Sequence, residues 1–295
     1  MRYEELLSQL KETLDFCVSL SLAEAVRASR FNKYQERTHR LCEIIQTYPR
    51  EQLPEEIEIE LKNENLEYVL SLTESLEFIG AVSFLKTCEV EVIRRKIATV
   101  LRGPVLPNDE DENSNEARNT LFELNLASKL RKAGLDASPG MDADLECRID
   151  GKHLLIECKR PFREQNVGRQ IKKAARQLKG RLRTLSSGSR GIVAVSLSKT
   201  MNPGDKFFVY SDESSAKDGL SRKLEAVAEH AAVSWSSLGR KIIGVLFHVV
   251  TASVDRKNGK YSLGEQFNAH PLAPEGSADY VIFRQLCDAL ASLQH

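Results

Sequence analysis

The chain has little of what would assign it to several large protein classes. Its six cysteines, spread over 295 residues, form no C-x-x-C pair and have no histidine at zinc-ligand spacing beside them. Neither a zinc module nor a disulfide framework follows, and the thiols are expected to be reduced, small and buried. No uninterrupted apolar run approaches the roughly 20 residues of a membrane span. The opening MRYEELLSQL is acidic where a secretory leader would be basic and then apolar. A cytoplasmic chain with no membrane partner is therefore expected. There is no internal repeat, no nucleophile elbow around Ser234, Trp235 and Ser236, and no phosphate loop at Gly191.

Net charge is also missing, since 42 Lys and Arg balance 42 Asp and Glu. Nucleic-acid-binding proteins usually carry a basic excess, so the total speaks against such a partner until the chain is divided. Residues 1–115 hold 14 basic and 22 acidic side chains, which leaves 28 and 20 for residues 116–295. Residues 151–190 alone carry 12 basic against 2 acidic. A hydrophobic fraction of 41% with 28% charged residues is otherwise that of a globular protein.

The first hundred residues are patterned as helices. Ser21-Leu22-Ala23-Glu24 and Ser71-Leu72-Thr73-Glu74 both match the capping box that opens a helix. Pro49 and Pro54 bracket a break, and Gly103-Pro104 ends the run over residues 90–101. Seven Glu and one Lys lie between positions 51 and 67, a solvated acidic face or a dock for a basic protein partner. Residues 107–116, PNDEDENSNE, read as a linker, which divides the chain into a helical domain at 1–106 and a second domain at 117–295. Beyond it the spacing predicts a helix over 116–133 ending at Gly134, apolar runs at 143–149 and 153–158, and an amphipathic helix over 164–185. A strand at 192–197, a short strand at 207–210, a helix at 220–231, a strand at 242–250 and a helix at 279–293 follow. Strands alternating with helices predict an α/β domain.

The chemistry concentrates at one predicted hairpin. Asp150-Gly151 suits a type I′ turn, which needs positive φ at both positions. Residues whose numbers sum to 301 then face each other, so Asp144 opposes Glu157. One face carries Leu145, Cys147, Ile149, Leu154, Ile156 and Cys158; the other carries Asp144, Glu146, Arg148, His153, Leu155, Glu157 and Lys159. Two opposed carboxylates repel unless a cation lies between them. Hard carboxylate oxygens suit Mg²⁺, and a neighbouring ammonium can orient water and offset developing charge, as phosphodiester hydrolysis requires. The competing reading is a salt-bridge ladder on an exposed sheet face, and His153, close to the turn, is expected to be solvent-exposed rather than catalytic.

These residues resemble the PD-(D/E)XK nuclease superfamily. The match is Met141-Asp142-Ala143-Asp144, then twelve residues, then Glu157-Cys158-Lys159, with an upstream helix around Phe122-Glu123 and Gly134. It covers about residues 116–200 and lacks the usual proline before the aspartate, where Ala143 stands; Asp142 is the rival first carboxylate. The resemblance implies a restriction-endonuclease-like core, a central mixed sheet flanked by helices, behind the all-α N-terminal domain. It also implies that Asp144, Glu157 and the Cys158 carbonyl bind Mg²⁺ or Mn²⁺, that Lys159 is the catalytic lysine, and that Glu123 supports the metal. A glutamine of the following helix joins the site in some branches, with Gln177 best placed and Gln170 the alternative.

In that helix Val167, Ile171, Ala174, Ala175, Leu178, Leu182 and Leu185 define a buried stripe. Arg169, Lys172, Lys173, Arg176, Lys179, Arg181 and Arg183 fill the remainder, joined by Arg160 and Arg163 ahead of it. Phosphate contacts from this set are expected, with the steep salt dependence that counterion release brings. Sparse aromatics give no base stacking. The expected function is metal-dependent cleavage of nucleic acid, DNA before RNA, with a homodimer compatible with cutting both strands. The alternative is a catalytically inactive module of the same fold that binds nucleic acid or a protein.

Overall fold

The computed structural model describes residues 3–48, 53–110, 114–140, 143–202, 208–210, 213–233, 235, 238–255 and 261–293. The chain divides into two compact units, Met1–Asn125 and Leu126–His295.

The first unit is helical: α1 (Tyr3–Ser19), α2 (Ala23–Ala28), α3 (Arg30–Thr47), α4 (Glu55–Asn63), α5 (Asn65–Leu85), α6 (Val90–Leu101) and the start of α7 (Glu116–Lys132). Apolar residues one turn apart build its core: Leu6, Leu10, Leu14 and Cys17 on α1, and Ile93, Ile97 and Val100 on α6, are all buried. Helix α5 is long and apolar enough to cross a membrane by length and composition, yet half of that stretch is buried within the protein. Both capping boxes fail. Ser21 adopts a positive φ of 63°, and α2 has Leu22 at its cap with no side-chain hydrogen bond. Ser71 sits inside α5 and donates to the Tyr68 carbonyl. Glu74 instead accepts from buried Arg30 at 2.7 Å and Arg118 at 2.8 Å. The side chain that caps α3 is Ser29, which accepts from the Asn32 amide.

The division between the units also differs from the expected linker. Residues Pro107–Asp109 form a 3₁₀ turn, and Glu110 is buried against Arg118 at 3.0 Å. An acidic, turn-like composition is here tied down by a buried guanidinium, and the boundary lies later, within α7; residues 111–113 of the expected linker lie outside the described residues.

The second unit is α/β, with a mixed sheet flanked by helices. Its strands are β1 (Asp136–Pro139), β2 (Leu145–Ile149), β3 (Lys152–Lys159), β4 (Arg190–Ser196), β5 (Phe208–Tyr210), β6 (Ile242–Asp255) and β7 (Tyr261–Pro271). Its helices are the end of α7, then α8 (Val167–Leu182), α9 (Ser198–Met201), α10 (Glu213–Ala232) and α11 (Ala278–Ala291). β1, β2 and β3 are antiparallel neighbours; β3, β4 and β6 are parallel. β7 pairs antiparallel with residues Gly244–Val254 of β6. β4 and β5 therefore share the other edge of β6, end to end. The α8 crossover between β3 and β4 and helix α10 pack on one face around Leu155, Val193, Val195, Val245 and Phe247. On the other face α11 lays Phe283 against Gly244, where a Cβ would meet the ring at 2.2 Å.

Candidate functional site

The hairpin forms in the expected register. Asp150 and Gly151 have φ of 48° and 74°, the positive pair of a type I′ turn, and Ile149 faces Lys152 while Leu145 faces Ile156. Asp144 and Glu157 come next in that register. The faces separate differently, because α8 covers the β3 end of the face that sequence pattern makes polar. Leu155 is fully buried and Glu157 is only 1% exposed. An exposed salt-bridge ladder does not describe this carboxylate.

Asp144 stands just before β2, and its Oδ2 accepts the Cys158 amide hydrogen at 2.7 Å. Lys159, two residues from Glu157 on the same strand face, donates from Nζ to Glu157 Oε1 at 2.8 Å and to the Cys158 carbonyl at 2.9 Å. The same nitrogen lies 3.9 Å from Asp144 Oδ2. Arg181 of α8 donates to the other Glu157 oxygen, Oε2. Two carboxylates and two cations thus balance, which is the condition for holding a charge as buried as Glu157. Among the described residues no group of three or more His, Cys, Asp or Glu side chains is arranged to hold a metal. The oxygen donors here are instead two carboxylates and one main-chain carbonyl.

Glu123 belongs to the first unit, where Lys96 donates to it at 2.8 Å. Gln177 has a buried Oε1 without a hydrogen-bond partner among the described residues. His153 is partly buried rather than open to solvent, since it pairs with Glu146 at 2.9 Å. Asp142 lies outside the described residues, as do Ser234 and Ser236.

The α8 cations also part company. At 100° per residue, Arg181 lies almost above Ala174, two turns away on the buried stripe, with Gln177 beside it. The stripe is as expected as far as Leu182, with Val167, Ile171, Ala174, Ala175, Leu178 and Leu182 buried; Leu185, past the end of the helix, is only partly buried. Arg169, Lys172, Arg176 and Lys179 form a row on the opposite flank. They line a cavity of about 1260 Å³ whose far wall includes Val227 and His230 of α10. Arg163 and Lys173 are exposed, and Arg160 is partly buried. The sequence pattern sets Arg181 among the cations expected to meet phosphate, whereas in the structure it meets Glu157. Its seven-residue spacing from Ala174 was the available signal, because an arginine on a buried stripe needs an acid to meet.

Comparison with protein-family models, with curated proteins and with solved structures finds no match.

Proposed function

We propose that the chain is a metal-dependent nuclease whose second unit is a restriction-endonuclease-like domain, acting on phosphodiesters in DNA more readily than in RNA. One observation carries this reading. Glu157 Oε1, the Cys158 carbonyl and Asp144 Oδ2 converge on a single cationic nitrogen, Lys159 Nζ, at 2.8, 2.9 and 3.9 Å. Hard oxygen donors gathered around one positive charge are the set that Mg²⁺ or Mn²⁺ takes. Bound to these oxygens beside the ammonium, such an ion would polarise a phosphoryl oxygen and acidify water.

The chain's own residues supply the rest. The Cys158 amide fixes the Asp144 carboxylate. The Lys159 ammonium would hold the attacking water and offset charge developing on the phosphate. Gln177 offers a buried acceptor oxygen. Arg160 and Arg163, ahead of α8, and the cation row of α8 would bind the phosphate backbone. The acidic helical unit remains a candidate surface for a protein partner.

A second reading has its own support: Glu157 is already neutralised by Lys159 and Arg181, as suits a module that binds nucleic acid without cutting it. Incubation with single-stranded DNA, duplex DNA and RNA, with Mg²⁺ or Mn²⁺ and then with EDTA, separates the two. Cleavage should require metal and fall about a hundredfold or more in Lys159→Ala. Cleavage that survives EDTA or that substitution refutes the mechanism, and binding without any cleavage favours the second reading.

A further inference from the structure

Glu157 is buried, and each of its oxygens meets a different cation: Lys159 at Oε1 and Arg181 at Oε2. A divalent ion on the same oxygens would add two positive charges beside an ammonium and a guanidinium. A site this poorly hydrated screens that repulsion weakly, so one of the resident cations has to withdraw. Lys159 is held by Glu157, by the Cys158 carbonyl and near Asp144, and its side chain is 15% exposed. Arg181 comes from the last turn of α8, and its side chain is 34% exposed. It is the cation with room to move.

We propose that Arg181 is a displaceable counter-ion that keeps Glu157 neutral until a phosphodiester draws it away, so that divalent metal and substrate phosphate enter the site together. This inference rests on the metal-dependent reading above. A phosphate oxyanion gives the guanidinium a bidentate partner equal to the carboxylate it leaves. It also brings the negative charge that offsets the incoming ion. Each ligand therefore strengthens the binding of the other, by the same factor in both directions. Arg181 is a positioning residue in this scheme, acting through Glu157.

The test is Mn²⁺ binding to the full chain, followed by calorimetry and by the spin-resonance signal of free Mn²⁺, with no turnover involved. A short phosphorothioate oligonucleotide serves as the phosphodiester probe, and its own Mn²⁺ binding is subtracted from a blank titration. Wild-type protein should bind Mn²⁺ about tenfold more tightly with the oligonucleotide than without it. Arg181→Gln should bind Mn²⁺ alone about tenfold more tightly than wild type and lose most of the oligonucleotide effect, whereas Arg181→Lys, which keeps the charge, should stay close to wild type. Mn²⁺ binding that depends on Asp144 but is unmoved by the oligonucleotide in wild type, or by Arg181→Gln, overturns the counter-ion role and leaves the metal site standing. If no Asp144-dependent Mn²⁺ binding occurs under any of these conditions, the metal reading falls and the inference with it.

Discussion

Replacing Glu74 with glutamine tests the charge arithmetic that holds the helical unit together. Glu74 is buried on α5, and its two oxygens are divided between Arg30 at 2.7 Å and Arg118 at 2.8 Å. Arg118 continues to Glu110 at 3.0 Å, and Arg30 also donates to the Val100 carbonyl. Burial alone would raise the Glu74 pKa, but the two guanidiniums hold it below the ordinary carboxylate range. An amide cannot serve both arginines, because its nitrogen donates and does not accept. Glu74→Gln must turn an NH₂ toward one guanidinium and leaves two buried cations with Glu110 as the remaining acid of the network. Breaking a buried pair in this way costs about 3–5 kcal/mol. With a urea slope of roughly 2 kcal/mol per molar for a unit of this size, the midpoint should fall by about 2 M. Helical circular dichroism in a urea series reads it directly. A variant that is folded and shifts by less than about 0.3 M would show that the network is not held by charge.

Two further outcomes are expected. Glu265 of β7 meets His248 at 2.6 Å and Lys129 at 2.7 Å. Burial opposes its ionisation, but these partners bring its pKa from 4.5 down to about 2. Its contribution is therefore complete above pH 4.5 and lost as pH falls toward 2, an effect of up to about 3 kcal/mol. Denaturant titrations over that window should steepen for wild type and flatten in Glu265→Gln, and equal acid slopes would refute the assignment. Substituting Ala at Arg169, Lys172, Arg176 and Lys179 together should lessen the slope of log affinity for duplex DNA against log salt by about 0.9 for each phosphate no longer neutralised. Anisotropy titrations at several salt concentrations read that slope, and an unchanged value would mean that the row does not hold phosphate.

Elements whose stability rests on local pattern were legible from the residues. The helix over Val90–Leu101 ends where Gly103-Pro104 requires, and the Asp150-Gly151 turn sets the register that makes Asp144 and Glu157 neighbours. The buried stripe of α8 follows the apolar spacing from Val167 to Leu182. β1 and β7 were not legible. β7, YSLGEQFNAHP, has neither steady alternation nor an aliphatic run, and its place is defined by the backbone of β6. The capping boxes misled because Ser-x-x-Glu is a local signal. In Glu74 a distant pair of arginines, Arg30 and Arg118, outcompetes the helix start for the carboxylate.

The sequence by itself determined the α/β character of the second unit, the hairpin, and the proximity of two carboxylates and a lysine. Turn chemistry and the two-residue strand period act over a few positions and need no tertiary information. Only the tertiary structure decided how charged that constellation is. Glu157 is buried because α8 crosses its face, and the same helix brings Arg181 onto it from 24 residues away. Chain folding likewise sorted the α8 cations into one that neutralises an acid and a row that lines a cavity. A charge's partner depends on which elements pack together, and net charge along the chain carries no record of that.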